Sequence, residues 1–160
     1  MRQRVFYESI KNWLESKGFR VLITGDKTEL VITVRDLVPV AYKIPDLIGV
    51  DKSRKVIIVE VEQNKKKFFE VLGRCMLWKC MATFVYIAFP EEEFQKAKAL
   101  EQLGVGLLIV NENSNEVKEP ITMLLKRNND IFKTLELHPL DPRKEEQLAM
   151  QIENVIENNR

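Results

Sequence analysis

Few side chains in this sequence are able to bind zinc or to form disulfides. Of its 160 residues, two are cysteine and one is histidine. A structural zinc site takes four such ligands, so the chain has too few for one. Cys75 and Cys80 lie five residues apart within a predicted helix, which places them on different faces and disfavours a disulfide. Buried, reduced thiols are expected instead, and these are typical of a cytoplasmic protein.

Long apolar runs are also missing from the sequence. No stretch approaches the roughly 18–20 apolar residues that a membrane-spanning helix needs. The N-terminal segment, MRQRVFYESIKNW, lacks the apolar core of a secretory signal. The sequence therefore predicts a cytoplasmic protein that does not enter a membrane.

An excess of charge of either sign is absent as well. The 25 Lys and Arg residues nearly balance the 24 Asp and Glu residues, for a net charge of +1. A nucleic-acid-binding protein with this balance needs its basic residues gathered on one face. Glu and Lys dominate the charged set, which is a weak sign of a thermophilic source. The length predicts a single domain with a core large enough to fold alone.

Residues 44–67 are the most informative part of the sequence. Two short apolar runs, Asp46 to Val50 and Val56 to Val59, flank a polar turn at residues 51–54. Apolar runs of this length around a polar turn predict a hairpin of buried strands. Such a hairpin places Asp46 opposite Val59 or Glu60, within about 5–8 Å.

Three carboxylates are expected to converge at the end of this hairpin. Side chains alternate along a strand, so Glu60 and Glu62 point the same way, towards Asp46. Repulsion and desolvation make such a cluster costly unless something offsets its charge. Mg²⁺ prefers carboxylate oxygens and is one candidate. The alternatives are neutralisation by Lys52, Lys55 or residues 65–67, and a strand end that is simply solvated.

The remaining pattern predicts an α/β protein with a mixed sheet and helices on both faces. Helices are predicted at 3–17, 66–81, 90–103 and from Asp141 to the C-terminus, and strands at 19–23, 83–89 and 105–110, with a further possible strand at 29–34. The hairpin demands antiparallel pairing, whereas the later strand–helix–strand units demand parallel pairing. We expect a core domain at 1–116 and a C-terminal extension at 117–160 that packs on the core or on a partner.

The central motif resembles that of the PD-(D/E)xK nuclease superfamily. Pro45-Asp46 precedes one strand and Glu60-Val61-Glu62 ends the next, and the similarity extends over about residues 3–110. The resemblance implies a restriction-endonuclease-like αβββαβ core and a DNA endonuclease that depends on Mg²⁺ or Mn²⁺, of resolvase or restriction type. It implies that Asp46, Glu60 and the Val61 carbonyl hold the metal, and that Glu62 binds it or orients the attacking water.

The sequence departs from the family pattern at Glu62, where the family has a lysine. Some restriction enzymes of the superfamily carry glutamate at this position. Lys79 or one of the lysines at 65–67 is a candidate to replace the missing amine, although Lys79 also suits a core position with its amine in water. Glu8 stands on the first helix, where archaeal Holliday-junction resolvases have a further acid, or else it is a solvated residue.

Basic residues near the motif are candidate contacts for DNA. The resemblance leads us to expect that Arg54, Lys65, Lys66 and Lys67 contact phosphates without reading sequence. A solvated helix start explains the three lysines equally well. Arg74 and Trp78 stand where branches of the family have Gln and Tyr, but this match is too loose to assign a role.

Two other functions remain open at this stage. The first is a non-catalytic member of the same superfamily, which binds nucleic acid or serves as an assembly subunit, with a homodimer as one form. The second is an unrelated α/β protein whose acids are structural. A basic face around the carboxylates favours the nuclease, and an acidic pocket without such a face favours the unrelated protein.

Overall fold

Six strands and the helices that cover them make up the part of the chain described by the computed structural model, residues 2–24, 45–90, 100–111, 113–121 and 140–158. In chain order, these elements are α1 (Arg2–Ser16), β1 (Arg20–Ile23), β2 (Leu47–Val50), β3 (Val56–Val61), a 3-10 turn (Lys65–Lys67), α2 (Phe68–Trp78), β4 (Phe84–Phe89), β5 (Gly106–Val110), β6 (Val117–Ile121) and α3 (Pro142–Asn158).

The strands form one sheet in the order β1-β2-β3-β4-β5-β6. The pairs β1–β2, β2–β3 and β5–β6 are antiparallel, whereas β3–β4 and β4–β5 are parallel. This confirms the predicted α/β class and the mixed sheet. The parallel pairs follow from the connections, because each joins strands through a segment long enough to cross the sheet.

Helices cover both faces of the sheet. The face that carries Ile58 and Glu60 packs against α2 and α3, through Trp78 on Glu60 and Glu153 on Arg20. Because those helices occupy the first face, α1 lies on the other, where it crosses β1, β2, β3, β5 and β6. Every residue of β3, β4 and β5 is buried as a result.

The first helix forms and ends as its sequence predicts. Phe6, Ile10 and Leu14 recur at helical spacing and are buried against the sheet. Gly18 adopts a φ of +95°, and the Phe19 N–H donates to the Leu14 carbonyl, which closes the helix with a Schellman-type turn. This turn leads the chain directly into β1.

The described residues after 116, at 117–121 and 140–158, pack against the core. Strand β6 pairs with β5, and α3 packs over β1, β2 and β3. Asp141 caps α3 by accepting a hydrogen bond from the Arg143 N–H, and Pro142 occupies the first helical position. Of the two predicted positions for this helix, packing on the domain is the one observed.

Other sequence predictions lie outside the described residues. These are the possible strand at 29–34 and most of the helix predicted at 90–103. Residues 100–103 are helical and are followed by β5. No helix within the described ranges is long and apolar enough to cross a membrane. Cys75 and Cys80 are both free thiols.

Two glycines are expected to respond in opposite directions to replacement by alanine. A Cβ at Gly49 in β2 would lie 3.0 Å from the Arg20 carbonyl oxygen and 3.0 Å from the Ile57 side chain, whereas a Cβ at Gly73 in α2 meets nothing within 4 Å. We expect Gly49→Ala to lower the free energy of unfolding by about 1–3 kcal/mol. Gly73→Ala should raise it by about 1 kcal/mol, because alanine favours the helix. Urea unfolding of both variants checks this, and equal effects would contradict it.

Candidate functional site

Asp46 and Glu60 meet at the end of the β2–β3 hairpin. The register pairs Leu47 with Val59, so Asp46, which directly precedes β2, lies opposite Glu60. The two carboxyl groups are close enough to share a hydrogen bond. Of the two predicted positions for Asp46, opposite Val59 or opposite Glu60, the register gives the second.

The Pro45-Asp46 segment is held by three neighbouring elements. The Tyr7 hydroxyl on α1 donates to Asp46 Oδ1 at 3.0 Å, and the Val61 N–H on β3 donates to Asp46 Oδ2 at 2.8 Å. Thr24, at the end of β1, donates its N–H to the Asp46 carbonyl at 3.0 Å and its hydroxyl to the Pro45 carbonyl. The carboxylate is therefore oriented through both of its oxygens.

Glu60 is held by α2 and is almost completely buried, with 2% of its surface exposed. The Trp78 indole N–H donates to Glu60 Oε1 at 2.8 Å, and an Arg74 guanidinium nitrogen lies 3.7 Å from Oε2. Arg74 and Trp78 are four residues apart, so they share one face of the helix. Arg74 also contacts Glu70 at 3.5 Å, which keeps its guanidinium beside the pair.

The environment of the pair favours a bound proton. Burial and the neighbouring Asp46 carboxylate raise the pKa of Glu60 from its ordinary value of 4.5 to about 8, against the opposing effects of Trp78 and Arg74. Burial also raises the pKa of Asp46, although the Val61 N–H and the Tyr7 hydroxyl oppose this. Like charges at close range cannot both ionise cheaply. Burial and the like charge therefore both favour the protonated form of this pair.

Glu62 does not form a third member of this cluster. Its N–H donates to the Ala88 carbonyl and extends the pairing with β4, but its carboxylate turns to accept the Asn64 N–H at 2.8 Å. Within the described ranges, no group of three His, Cys, Asp or Glu side chains is arranged to hold a metal ion. The three-carboxylate cluster predicted from alternation is a pair here, because β3 ends at Val61 and the chain turns away.

The lysines considered as neutralising partners lie elsewhere. Lys55 pairs with Glu145 at 3.7 Å at the opposite end of β3, and Lys52, Lys66 and Lys67 are exposed. The Lys79 amine donates to the Leu103 carbonyl, and burial lowers its pKa. Among the side chains that the structure describes, the cation that contacts the pair is thus Arg74 on α2.

Glu8 is exposed to solvent, and Arg54 lies away from the carboxylate pair. Glu8 is exposed, while its neighbour Tyr7 turns inwards to Asp46. Arg54 lies in the β2–β3 turn, six residues from Glu60, or about 20 Å along an extended strand. Its guanidinium contacts Glu146 at 3.9 Å and Glu153 at 3.6 Å on α3. Lys65 forms the 3-10 turn with Lys66 and Lys67, between β3 and α2.

Tyr7, Arg74 and Trp78 complete the site, and sequence analysis gave none of them a role. Tyr7 stands three residues before Ile10 and seven before Leu14, so the apolar stripe of α1 marks it as inward-facing. The spacing of Arg74 and Trp78 indicates one shared helix face, and a buried indole needs an acceptor for its N–H. These signals were present, but nothing in the sequence identified their acceptors.

Comparison with known proteins gives a likeness of fold. No family model and no curated protein matches the sequence. The solved structure of a protein of unknown function from Silicibacter pomeroyi is similar to this chain, with a TM-score of 0.56 and 14% sequence identity. The similarity covers 91% of this chain and 80% of that one. At this level of identity the likeness shows a shared fold alone.

Proposed function

We propose that this chain is a metal-dependent nuclease of the PD-(D/E)xK type, with the restriction-endonuclease-like fold, that hydrolyses phosphodiester bonds in DNA. The observation that carries the proposal is the Asp46–Glu60 pair, two carboxyl groups from adjacent strands in hydrogen-bonding contact. Asp46 and Glu60 belong to the Pro-Asp and Glu-x-Glu segments that resemble the family motif. The order α1-β1-β2-β3-α2-β4 agrees with the αβββαβ core that the resemblance implies.

The chemistry of the pair favours a functional role over a structural one. A structural buried acid is normally matched by a base, because an uncompensated buried charge is costly. Here a buried acid is placed against a second acid, and Arg74 offsets only part of the charge. Carboxylates whose pKa is raised by burial and a like charge are typical of functional sites.

The donor set suits a divalent cation. Besides the contact between the two carboxyl groups, each oxygen of Asp46 and Glu60 lies against one donor, from Tyr7, Val61, Trp78 or Arg74. A carboxylate oxygen has a second lone pair, which stays available to a cation that replaces the shared proton. Asp46, Glu60 and the Val61 carbonyl would hold Mg²⁺ or Mn²⁺. When bound, the ion would polarise the scissile phosphate and lower the pKa of its water.

The proposed roles of the other residues follow from their positions around the pair. Tyr7 and the Val61 N–H orient Asp46, and Trp78 orients Glu60. Arg74 supplies, beside Glu60, the positive charge that the family pattern draws from a lysine. Glu62, two residues after Glu60 in the chain, would position the attacking water. Lys66 and Lys67, exposed at the same end of β3, contact flanking phosphates. Lys79, Glu8 and Arg54 have no part in this proposal.

Calorimetric titration with Mn²⁺, followed by cleavage of supercoiled plasmid and branched DNA, tests the proposal. We expect the wild type to bind Mn²⁺ with release of a proton at pH 7, and to cut in the presence of the ion. Asp46→Asn keeps the shape of the side chain, so it should bind Mn²⁺ at least about tenfold more weakly and lose cleavage. The exposed Glu157→Gln on α3 is the matched control and should behave as the wild type.

Two results would contradict the nuclease proposal. If neither the wild type nor Asp46→Asn binds Mn²⁺, there is no metal site at the pair. If both proteins cut DNA equally well, the activity arises elsewhere or from a contaminant.

A second candidate is a non-catalytic protein with the same fold, which binds nucleic acid or assembles with partner subunits. The occupied oxygens of Asp46 and Glu60, and Glu62 in place of the motif lysine, favour it. Wild-type protein that binds Mn²⁺ or DNA but leaves every substrate uncut would support this candidate over the nuclease.

A further inference from the structure

Phe69, in the first turn of α2, exposes an aromatic ring to solvent. Its side chain is 77% exposed, more than Leu140 at 37% or Met150 at 45%, the other large apolar side chains that are exposed among the described residues. An exposed ring of this size gains nothing from the core. It is therefore a candidate contact for a ligand with a flat apolar face.

The exposed ring is positioned by two aromatic neighbours. Phe89, the last residue of β4, is buried, and Phe68 stacks on it with centroids 6.0 Å apart and an interplanar angle of 25°. Phe69 meets Phe68 edge-on at 5.4 Å and 79°. Such contacts orient rings beyond simple burial. Phe69 is therefore held in an exposed position by Phe68, which in turn packs on Phe89 of the sheet.

Two exposed lysines closely precede this ring in the chain. Lys66 and Lys67 are exposed and immediately precede α2. The neighbouring acid, Glu70, is paired with Arg74 at 3.5 Å, so its charge is offset locally. An exposed aromatic ring next to exposed lysines is the combination that binds single-stranded nucleic acid, with a base on the ring and phosphates on the amines.

The ring and the carboxylate pair lie at the same end of the sheet. Strands β3 and β4 are parallel and end at Val61 and Phe89. Glu60 directly precedes Val61, and the ring of Phe69 reaches Phe89 through Phe68. A strand that rests on Phe69 is thus close to the end of β3 that carries Glu60.

We propose that Phe69, Lys66 and Lys67 bind an unpaired nucleotide, so that the substrate of this chain contains single-stranded DNA next to the cleaved bond. This proposal rests on the nuclease function in placing the cleaved bond at Asp46 and Glu60. Bases within a duplex are stacked on their neighbours, so they cannot offer a face to Phe69 unless they leave the stack. Stacking is tolerant of sequence, so no base preference is expected from this ring.

Fluorescence anisotropy with a labelled oligothymidine and a labelled duplex, both in EDTA, tests the surface without cleavage. We expect Phe69→Ala to weaken single-strand binding by about tenfold and to leave duplex binding unchanged. Phe69→Trp should retain tight binding, because it keeps a stacking face. Met150→Ala, which removes an exposed apolar side chain from α3, is the matched control and should have no effect. The Lys66→Ala/Lys67→Ala double variant should show a shallower salt dependence.

Some outcomes overturn the proposed surface. The proposal is overturned if Phe69→Ala binds the single strand as tightly as the wild type does. It is also overturned if Phe69→Ala loses equal affinity for the single strand and for the duplex. Self-association in sedimentation velocity that Phe69→Ala abolishes would assign the ring to a second copy of the chain.

Two outcomes distinguish failure of the nuclease proposal from failure of the proposed surface. If the wild type binds single-stranded DNA through Phe69 but cuts no DNA, the proposed surface is supported and the nuclease proposal is overturned. If the wild type cuts DNA, but Phe69→Ala binds DNA as tightly as the wild type does, the proposed surface is overturned and the nuclease proposal stands.

Discussion

Glu60→Gln is expected to remove most of the loss of stability that the metal-free wild type shows between about pH 4.5 and pH 8. The folded protein raises the pKa of Glu60 to about 8, whereas the unfolded chain has the ordinary value of 4.5. Over this range the folded state holds a proton that the unfolded state has released. Wild-type stability is therefore full below the lower value and falls as the pH rises to the upper one. One pKa unit corresponds to about 1.4 kcal/mol, so the loss amounts to a few kcal/mol.

Denaturant unfolding in EDTA, repeated from pH 5 to pH 9, measures this effect. Glutamine keeps the acceptor for the Trp78 indole but has no proton to lose, so its curve should be nearly flat. Glu62→Gln is the control, because the Glu62 carboxylate lies outside the pair, and it should keep the wild-type slope. Addition of Mn²⁺ at pH 8 should restabilise the wild type and not Glu60→Gln, since a ligand stabilises the state that binds it. Equal slopes for the wild type and Glu60→Gln would contradict the assignment of the proton to this pair.

Glu145→Ala is expected to lower the free energy of unfolding by about 3 kcal/mol, because it leaves several hydrogen-bond donors without their acceptor. Glu145 Oε2 accepts the Val56 N–H at 3.1 Å and both the N–H and the hydroxyl of Thr83 at 2.6 Å. Lys55 approaches the other oxygen at 3.7 Å. The side chain is 3% exposed, so alanine leaves these donors buried beneath α3 without their acceptor.

The neighbouring Glu146 provides the control for this experiment. Its carboxylate is exposed and contacts Arg54 at 3.9 Å, so Glu146→Ala should change stability by no more than about 0.5 kcal/mol. Glu145→Gln keeps one acceptor and should lie between the two. Chemical denaturation of the three variants, with circular dichroism to show that each one folds, gives the comparison. Similar values for Glu145→Ala and Glu146→Ala would mean that α3 does not depend on this carboxylate.

Local pattern was enough to predict most of the elements around the site. The apolar runs on either side of residues 51–54 indicated the hairpin, and the pairing that follows places Asp46 opposite Glu60. The Phe6, Ile10 and Leu14 spacing indicated α1, and Asp141-Pro142 marked the start of α3. Each of these signals depends on residues that are close in the chain, where backbone periodicity relates spacing directly to direction.

The partners of the carboxylates depend on tertiary structure. Tyr7 and Asp46 are 39 residues apart, and Trp78 and Glu60 are 18 apart. Alternation placed Glu62 beside Glu60, but it applies only while the strand continues, and the strand ends at Val61. The expectation that lysines neutralise the acids likewise relied on nearness in sequence, whereas α2 brings Arg74 to Glu60.

The sequence by itself determined most of the elements, the mixed sheet and a hairpin that brings Asp46 opposite Val59 or Glu60, because these follow from periods of two and 3.6 residues and from one short turn. Only the tertiary structure decided which donors surround the pair, and that Glu145 on α3 joins the starts of β3 and β4. The physical reason is that the contacts of a buried polar group depend on how separate elements pack. That packing is set by the whole core and not by any single stretch of the chain.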